Sequence, residues 1–551
     1  MILIMADDQG YGDVSFNGNP ILKTPYLDSL AMESVRFTDF HVAPMCTPTR
    51  GQLITGLDAM RNGATAVCQG RSMILPDIKI MPEYFKEKGY ATGMFGKWHL
   101  GDSYPYRPRF RGFDEVLSFR AWGITSLADY WGNDYFDPVL MKNGIDTKYR
   151  GYCTDIFFQE AMKFMANSIK SNKPFFVYIP TNTPHVPEIV SEYYSHPYDS
   201  EYQNKKLPKE FYGMISNIDE NLGALNQFLE INNLKDNTIL IYLSDNGTQN
   251  VIAKGIFNAQ MRDHKTSVYE GGHRVPLFIR WKDGQLKHNI DITALTQVQD
   301  LLPTLIDFCQ LEKAERQLDG LSLSPLLKGH NNKIPSRICV SQYRVSGEKW
   351  DNAVVMMDKW RLVKNSELYN VQEDPSQKDN LYTKYPNIAK QMTDYYDDWH
   401  YAVQKEYVKI RPIIVGSANI NTLTLYASDW QGGYCDNRQG LIRADTNGYW
   451  DLDIATSGKY EIELRRWPEE SNKPIVESFN GIDKKGAINA VEAKITIADY
   501  NETKAVGPND KVIKFLVMLD AGKTTLQSFY IDPNDKEICG AMYVKISKIS
   551  I

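Results

Sequence analysis

Apolar residues along the first 330 positions follow two rhythms. Short unbroken runs at 2–5, 91–95, 175–179 and 239–243 fit strands of a parallel sheet that is buried on both faces. Stretches at 26–33, 81–88, 155–168 and 217–231 lie between them and carry apolar residues at helical spacing. This alternation predicts an α/β sheet covered by helices. Each run leads straight into polar side chains: Asp7-Asp8, Gly96-Lys97-Trp98-His99, Thr181-Asn-Thr-Pro-His185 and Ser244-Asp245-Asn246-Gly247. Open α/β sheets bind ligands at the carboxyl ends of their strands, so these ends are expected to converge on one site.

The rhythm changes after 330. Runs at 342–344, 353–357 and 360–363 read as short strands and 387–403 as a helix, giving a small α+β unit over 331–412. From 416 the period becomes two. Segments at 422–427, 448–454, 459–466, 490–497, 512–519 and 541–549 alternate, with turns such as Asp445-Thr-Asn-Gly448 between them. That pattern predicts an appended β-sandwich over 416–551, after a catalytic α/β unit over 1–330. Trp430, Trp450 and Trp467 in this region are expected to pack its core rather than bind sugar.

Composition narrows the function classes. At about 150 residues per unit, 551 residues suggest roughly three or four units. Lys and Arg total 62 against 68 Asp and Glu, a formal charge of −6, so nothing draws the whole chain to nucleic acid or an anionic membrane. No apolar run approaches the ~20 residues of a membrane-spanning helix. Seven cysteines are too scattered for a disulfide framework, although Cys435 and Cys539 share a region and are open to pairing. The chain opens on Met1-Ile-Leu-Ile-Met-Ala-Asp-Asp, a core strand rather than a leader. The expectation is a periplasmic or secreted protein whose leader has been removed.

Residues 46–56 read Cys-Thr-Pro-Thr-Arg-Gly-Gln-Leu-Ile-Thr-Gly. Pro48 suits the first turn of a helix, where its missing N–H would be unpaired anyway. Cys46 then sits at the helix N-terminus, whose N–H groups favour negative charge, and Arg50 shares its face one turn on. A nucleophile, a guanidinium and a helix terminus make an anion site. Asp7, Asp8, Asp245 and Asn246 offer hard oxygen donors, which suit Ca²⁺ or Mg²⁺ and argue against zinc.

This run resembles the Cys-x-Pro-Ser-Arg signature of the formylglycine-dependent sulfatases, in the alkaline-phosphatase-like superfamily. Thr49 stands where serine is usual. Asp7-Asp8-Gln-Gly-Tyr-Gly-Asp13, Gly96-Lys-Trp-His-Leu-Gly101, Pro184-His185, Asp245-Asn246-Gly247 and Lys265-Thr-Ser-Val-Tyr-Glu-Gly-Gly272 are similar to further motifs of that family, in its order. Glu367-Leu-Tyr-Asn370, Asp374-Pro375 and Asn380-Leu381 resemble its C-terminal subdomain, so the match covers about residues 1–412.

The resemblance implies an alkaline-phosphatase-like sulfatase fold and hydrolysis of a sulfate monoester. It implies that a maturation enzyme converts Cys46 to formylglycine, and that Asp7, Asp8, Asp245, Asn246 and the modified Cys46 hold calcium. Arg50, Lys97, His99 and Lys265 would surround the sulfate. His99 would assist its elimination, and His185 with Lys265 would protonate the leaving oxygen. His41, His196, His264, His273, His288, His330 and His400 receive no such role. The loop over 104–131 is rich in Tyr, Trp and Arg, which suit sugar faces and anionic groups. The expected substrate is a sulfated poly- or oligosaccharide attacked from a chain end. Two alternatives remain open: a phosphate or phosphonate monoester hydrolase of the same superfamily, and a non-catalytic sulfated-glycan-binding protein. Retention of every catalytic position argues against the second.

Overall fold

The unbroken apolar runs form the centre of a ten-stranded mixed sheet in the computed structural model of the protein. The structure describes residues 1–202, 205–249, 252, 256–329 and 334–549. His330 and the expected boundary at 330/331 lie outside the described residues. Five parallel strands stand side by side in the order Leu240–Ser244, Ile2–Ala6, Phe175–Pro180, Ala91–Gly96 and Glu115–Ser118. Every residue of Ile2–Ala6 and Phe175–Pro180 is buried, which explains why these runs carry no polar alternation. The sheet is completed on one side by Leu277–Arg280 and Val35–Phe37, where it turns antiparallel, with Ile290–Ile292 parallel to Val35–Phe37 at the edge, and on the other by the hairpin of Val139–Lys142 and Ile145–Lys148.

Helices Cys153–Lys170 and Lys209–Ile231 pack together over one face. The second begins at Lys209 rather than the expected 217. Gly213 lies within its extra turns, where a side chain would press on the backbone of Tyr194 and Ser195.

The small unit is an antiparallel meander of Ile338–Gln342, Ala353–Met357, Trp360–Val363 and Glu367–Asn370, backed by helix Pro386–Tyr407. The strand expected at 342–344 is therefore displaced: it ends at Gln342, and Tyr343 and Arg344 lie in the loop beyond it.

The C-terminal residues form two further sheets. One is built around Gly448–Ile454, Gly522–Ile531 and Glu492–Ile497. The other joins Thr422–Tyr426, Tyr543–Lys548, Gly458–Arg465 and Ile513–Leu519. Their inward residues share one core, which also takes in Met73, Tyr106, Ala121 and Leu127 from the first part of the chain. Trp430, Trp450 and Trp467 are at most 2% exposed and pack this core. Cys435 and Cys539 are separate buried thiols, and the Cys435 Sγ donates instead to Met542 Sδ at 3.6 Å. Among the described residues no helix is long and apolar enough to cross a membrane.

Candidate active site

Four neighbouring parallel strands deliver their carboxyl ends to one edge of the sheet. In register, Ala6 faces Ser244, so Asp7-Asp8 and Asp245-Asn246 emerge next to each other. The Asp8 N–H donates to Asp245 Oδ1 at 3.1 Å, and Asn246 Nδ2 donates to Asp8 Oδ1 at 2.8 Å. On the side of Ile2–Ala6 away from Leu240–Ser244, Phe175–Pro180 leads to His185, and Ala91–Gly96 beyond it leads to Lys97 and His99.

Asp8 and His99 both adopt left-handed backbone, with φ of 71° and 57°. Such conformations are uncommon outside glycine and persist only where the surroundings impose them.

Helix Cys46–Thr55 is buried along its whole length and starts at the site, with Cys46 as its first residue. Cys46 Sγ lies 3.3 Å from His99 Nδ1, and His99 Nε2 lies 3.3 Å from the Val67 carbonyl. Arg50, one turn on, donates from Nε and Nη2 to Asp245 Oδ2 at 3.1 and 2.6 Å and from Nη1 to the Lys97 carbonyl at 3.1 Å. Lys97 Nζ donates to Asp7 Oδ2 at 2.6 Å, and Lys265 Nζ to Asp8 Oδ2 at 2.8 Å. His185 Nε2 lies 3.7 Å from Asp8 Oδ2, and its ring packs against Trp122 at 5.1 Å between centroids, tilted by 35°. The structure thus brings together Asp7, Asp8, Cys46, Arg50, Lys97, His99, His185, Asp245, Asn246 and Lys265.

Charge in this cluster is finely matched. Three buried carboxylates meet three cations, as buried charges require. Burial pushes Asp7 and Asp8 up. Lys97, His185 and Arg50 around Asp7, and Lys265 and His185 around Asp8, outweigh it and hold both below the usual carboxylate range. Burial and the charge of Asp7 raise Asp245 in spite of Arg50. Burial, helped by Lys97 and Arg50, holds His99 well below the usual imidazole value, and burial with Lys265 lowers His185. Burial also raises the Cys46 thiol, so it stays protonated at neutral pH.

A divalent cation fits these residues. Asp7 Oδ1 and Asn246 Oδ1 are buried without a hydrogen-bond partner among the described residues. One ligand atom each from Asp7, Cys46 and Asp245 lies within 4.8 Å of the others. Unpartnered buried oxygens are costly unless something meets them, and hard oxygen donors suit Ca²⁺ or Mg²⁺.

Other groups were not legible from motifs. His41, Glu270 and His273 form a second buried trio of potential ligands. Arg361 donates to Glu270 Oε1 and to Asp39 Oδ1, both at 2.7 Å, and supplies the positive charge there. The residues of 104–131 expected to face sugar mostly tie the loop down. Tyr106 OH donates to the Pro412 carbonyl, Arg111 to the Ile78 carbonyl and Arg120 to Asp146, while Trp131 packs on Trp467. Among the described residues of this loop, Trp122 is the one whose ring packs against a predicted site residue.

Comparisons with known proteins agree with this architecture. The family model described as Sulfatase matches residues 1–311, and the one described as N-sulphoglucosamine sulphohydrolase, C-terminal, matches residues 261–401. Mouse N-acetylgalactosamine-6-sulfatase is 27% identical over 401 residues, covering 64% of this chain and 72% of that protein. Dog arylsulfatase G is 30% identical over 373 residues, covering 60% and 67%. A crystal structure of Ps i-CgsB in complex with k-i-k-neocarrahexaose superposes with a TM-score of 0.66 at 28% identity, over 74% of this chain and 94% of the other. The large mixed sheet is accordingly the alkaline-phosphatase-like α/β fold of the sulfatases. With the family model covering more than half of its length, the chain belongs to the sulfatase family and is a sulfatase enzyme.

Proposed function

We propose that the protein removes sulfate from a sulfated poly- or oligosaccharide, working from a chain end, with Cys46 as the position converted to formylglycine. The observation that carries this is the cluster around Cys46: Arg50, Lys97, His99, His185 and Lys265 on one side, Asp7, Asp8, Asp245 and Asn246 on the other. A raised thiol makes unmodified Cys46 a poor nucleophile, which favours modification over direct attack by sulfur. When present, the hydrated aldehyde supplies one hydroxyl for attack at sulfur and a second through which sulfate is later released. A calcium ion held by Asp7, Asp8, Asp245 and Asn246 would add positive charge where the ester binds.

The chain's own residues account for the rest. Lys97, Lys265 and Arg50 orient the sulfate oxygens and stabilise charge developing on them. His99 Nδ1, beside Cys46, is positioned to take a proton from the nucleophilic residue, and its lowered pKa keeps it unprotonated for that task. His185 and Lys265 both lie beside Asp8; burial and Lys265 lower the His185 imidazole, so Lys265, held charged by Asp8, supplies the proton to the leaving oxygen while His185 hydrogen-bonds and orients it.

The carbohydrate reading is supported by relatives whose names state such substrates. These include N-acetylgalactosamine-6-sulfatase and a sulfatase solved with a neocarrahexaose. End-on attack suits a site whose residues are nearly all buried. A polymeric substrate goes with a periplasmic or secreted location.

The test is peptide mass mapping of active protein together with turnover of sulfated oligosaccharides. Formylglycine is expected at position 46, and Cys46→Ala is expected to lose at least ~10³-fold in activity. Full activity in Cys46→Ala would end the reading.

A further inference from the structure

Asp436 comes from the C-terminal β region, far in sequence from every motif of the site. It is only 3% exposed, and its Oδ1 has no hydrogen-bond partner among the described residues. Its backbone is gripped by the elements that hold the two site histidines. The Asp436 carbonyl accepts from Trp122 Nε1 at 2.8 Å and from the Leu127 N–H at 3.1 Å, and Trp122 is the ring packed against His185. On its other side lies the loop whose Val67 carbonyl meets His99 and whose Gln69 Nε2 donates to the Gly432 carbonyl at 2.8 Å.

The cations that act on the Asp436 carboxyl are Lys265 and Lys97, the sulfate-facing lysines, although neither forms an ion pair with it. Lys97, Lys265 and Asp436 are all nearly fully buried, at 0%, 8% and 3% exposed. Tyr434, 44% exposed, lies beside Asp436 and donates its hydroxyl to the carboxyl, so that Oδ1 alone is left without a partner among the described residues. Tyr343, which is influenced by Cys46 and Lys265, adds a third polar aromatic.

A carboxylate beside an anion site works against sulfate binding through like-charge repulsion. Leaving its oxygen buried without a partner adds a further cost. Both costs are answered if donors arrive with the substrate. Hydroxyl groups of a sugar ring are such donors, and an exposed tyrosine next to the carboxylate offers the ring a face.

We propose that Asp436 accepts hydrogen bonds from hydroxyl groups on the same sugar ring that carries the scissile sulfate, with Tyr434 against that ring, so that the C-terminal β region completes the substrate site. The proposal rests on the carbohydrate reading above. It selects a ring with free hydroxyls near the sulfate, and it rejects one bearing a second anionic group at that position.

The experiment uses the matured full-length enzyme and a panel of singly O-sulfated methyl galactosides and N-acetylhexosaminides. Each is paired with analogues lacking one neighbouring hydroxyl. If the wild type cleaves none of these sugars, the carbohydrate reading fails and takes this proposal with it. For the best substrate, one deoxy analogue is expected to lose ten- to hundredfold in kcat/KM with the wild type. Asp436→Asn should lose a similar factor on the full sugar, mainly in KM, and little more on that analogue, while inhibition by inorganic sulfate stays the same or tightens as the like charge is removed. Equal wild-type turnover of every deoxy analogue overturns the proposal without any variant. So does Asp436→Asn activity within twofold of wild type, or sulfate inhibition that weakens in step with sugar turnover.

Discussion

Arg50 serves two ends at once. Its guanidinium fork binds Asp245 through two nitrogens and reaches the Lys97 carbonyl with the third, all in a place that is 1% exposed. Removing one partner of a buried ion pair leaves an uncompensated charge and typically costs about 3–5 kcal/mol. Arg50→Ala is therefore expected to lose stability on that scale in urea unfolding, along with nearly all turnover. Arg50→Lys keeps the charge but not the fork, so it should regain part of the stability and little of the activity. Wild-type stability in Arg50→Ala would show that Asp245 does not depend on it. The oxygens of Asp7, Asp8, Asp245 and Asn246 lead to a second prediction. A chelator is expected to abolish turnover, and calcium is expected to restore it, with Asp245→Ala inactive under both conditions. Active protein carrying one equivalent of zinc and no calcium would overturn the oxygen-donor argument.

At the level of elements, the strand ends are shaped by glycines with no room for a side chain. Gly96 has φ of +133°, and a Cβ there would lie 1.8 Å from the Pro180 carbonyl on the neighbouring strand. A Cβ on Gly247 would lie 1.8 Å from the Gly271 carbonyl. Gly96→Ala must push apart the two strands that carry Lys97 and His185. It is expected to lower Tm by several degrees and kcat/KM by more than tenfold, whereas Gly89→Ala, strained by its φ of +87° but with open space around its Cβ, should lose some stability and retain normal turnover. The central strands were legible because burial on both faces leaves an unbroken apolar run, and the residues after them were legible because the run stops abruptly at Asp7, Lys97 and Asp245. Strands such as Val35–Phe37 and Leu277–Arg280 were not, since three or four residues are too few to set a period. Helix Lys209–Ile231 was read short because Gly213 interrupts its pattern. Asp436 gave no local signal at all, and Trp122 was only one of many aromatics in the loop over 104–131. Only the packing of the loop over 104–131 onto the C-terminal sheets brings them to the histidines.

Across the whole molecule, that same packing buries a pair of acids where the catalytic sheet's loops meet the β-sandwich. The Asp102 N–H donates to Asp429 Oδ2 at 3.2 Å, and Asp102 Oδ2 in turn accepts from the Ala121 N–H at 2.8 Å. Burial, then the neighbouring Asp102, pushes Asp429 up to about 8, and burial raises Asp102 as well. Between about pH 4 and pH 8 the folded protein therefore keeps a proton that the unfolded chain has lost. Protons bound in the folded state then exceed those in the unfolded state, so stability falls as pH rises through this window and levels off above it. With one extra proton held by the folded state, each pH step of one is worth about 1.36 kcal/mol, so the loss from pH 6 to pH 8 is on the order of 2 kcal/mol from this junction. Asp13 and Asp219, each raised to about 7 by burial, contribute slopes of the same sign, so the wild-type curve alone does not isolate the junction. The difference between wild type and Asp429→Asn does. Asparagine can still offer an oxygen to the Asp102 N–H, but it carries no proton to lose. Thermal melts from pH 6 to pH 8.5 should show a shallower decline in the variant, with the two curves separating as pH rises. Parallel curves would place the pH sensitivity elsewhere. Ala121, held by Asp102, directly precedes Trp122, so loosening this junction reaches the ring packed against His185. Wild-type KM for the glycan should accordingly rise above pH 8 more steeply than that of Asp429→Asn.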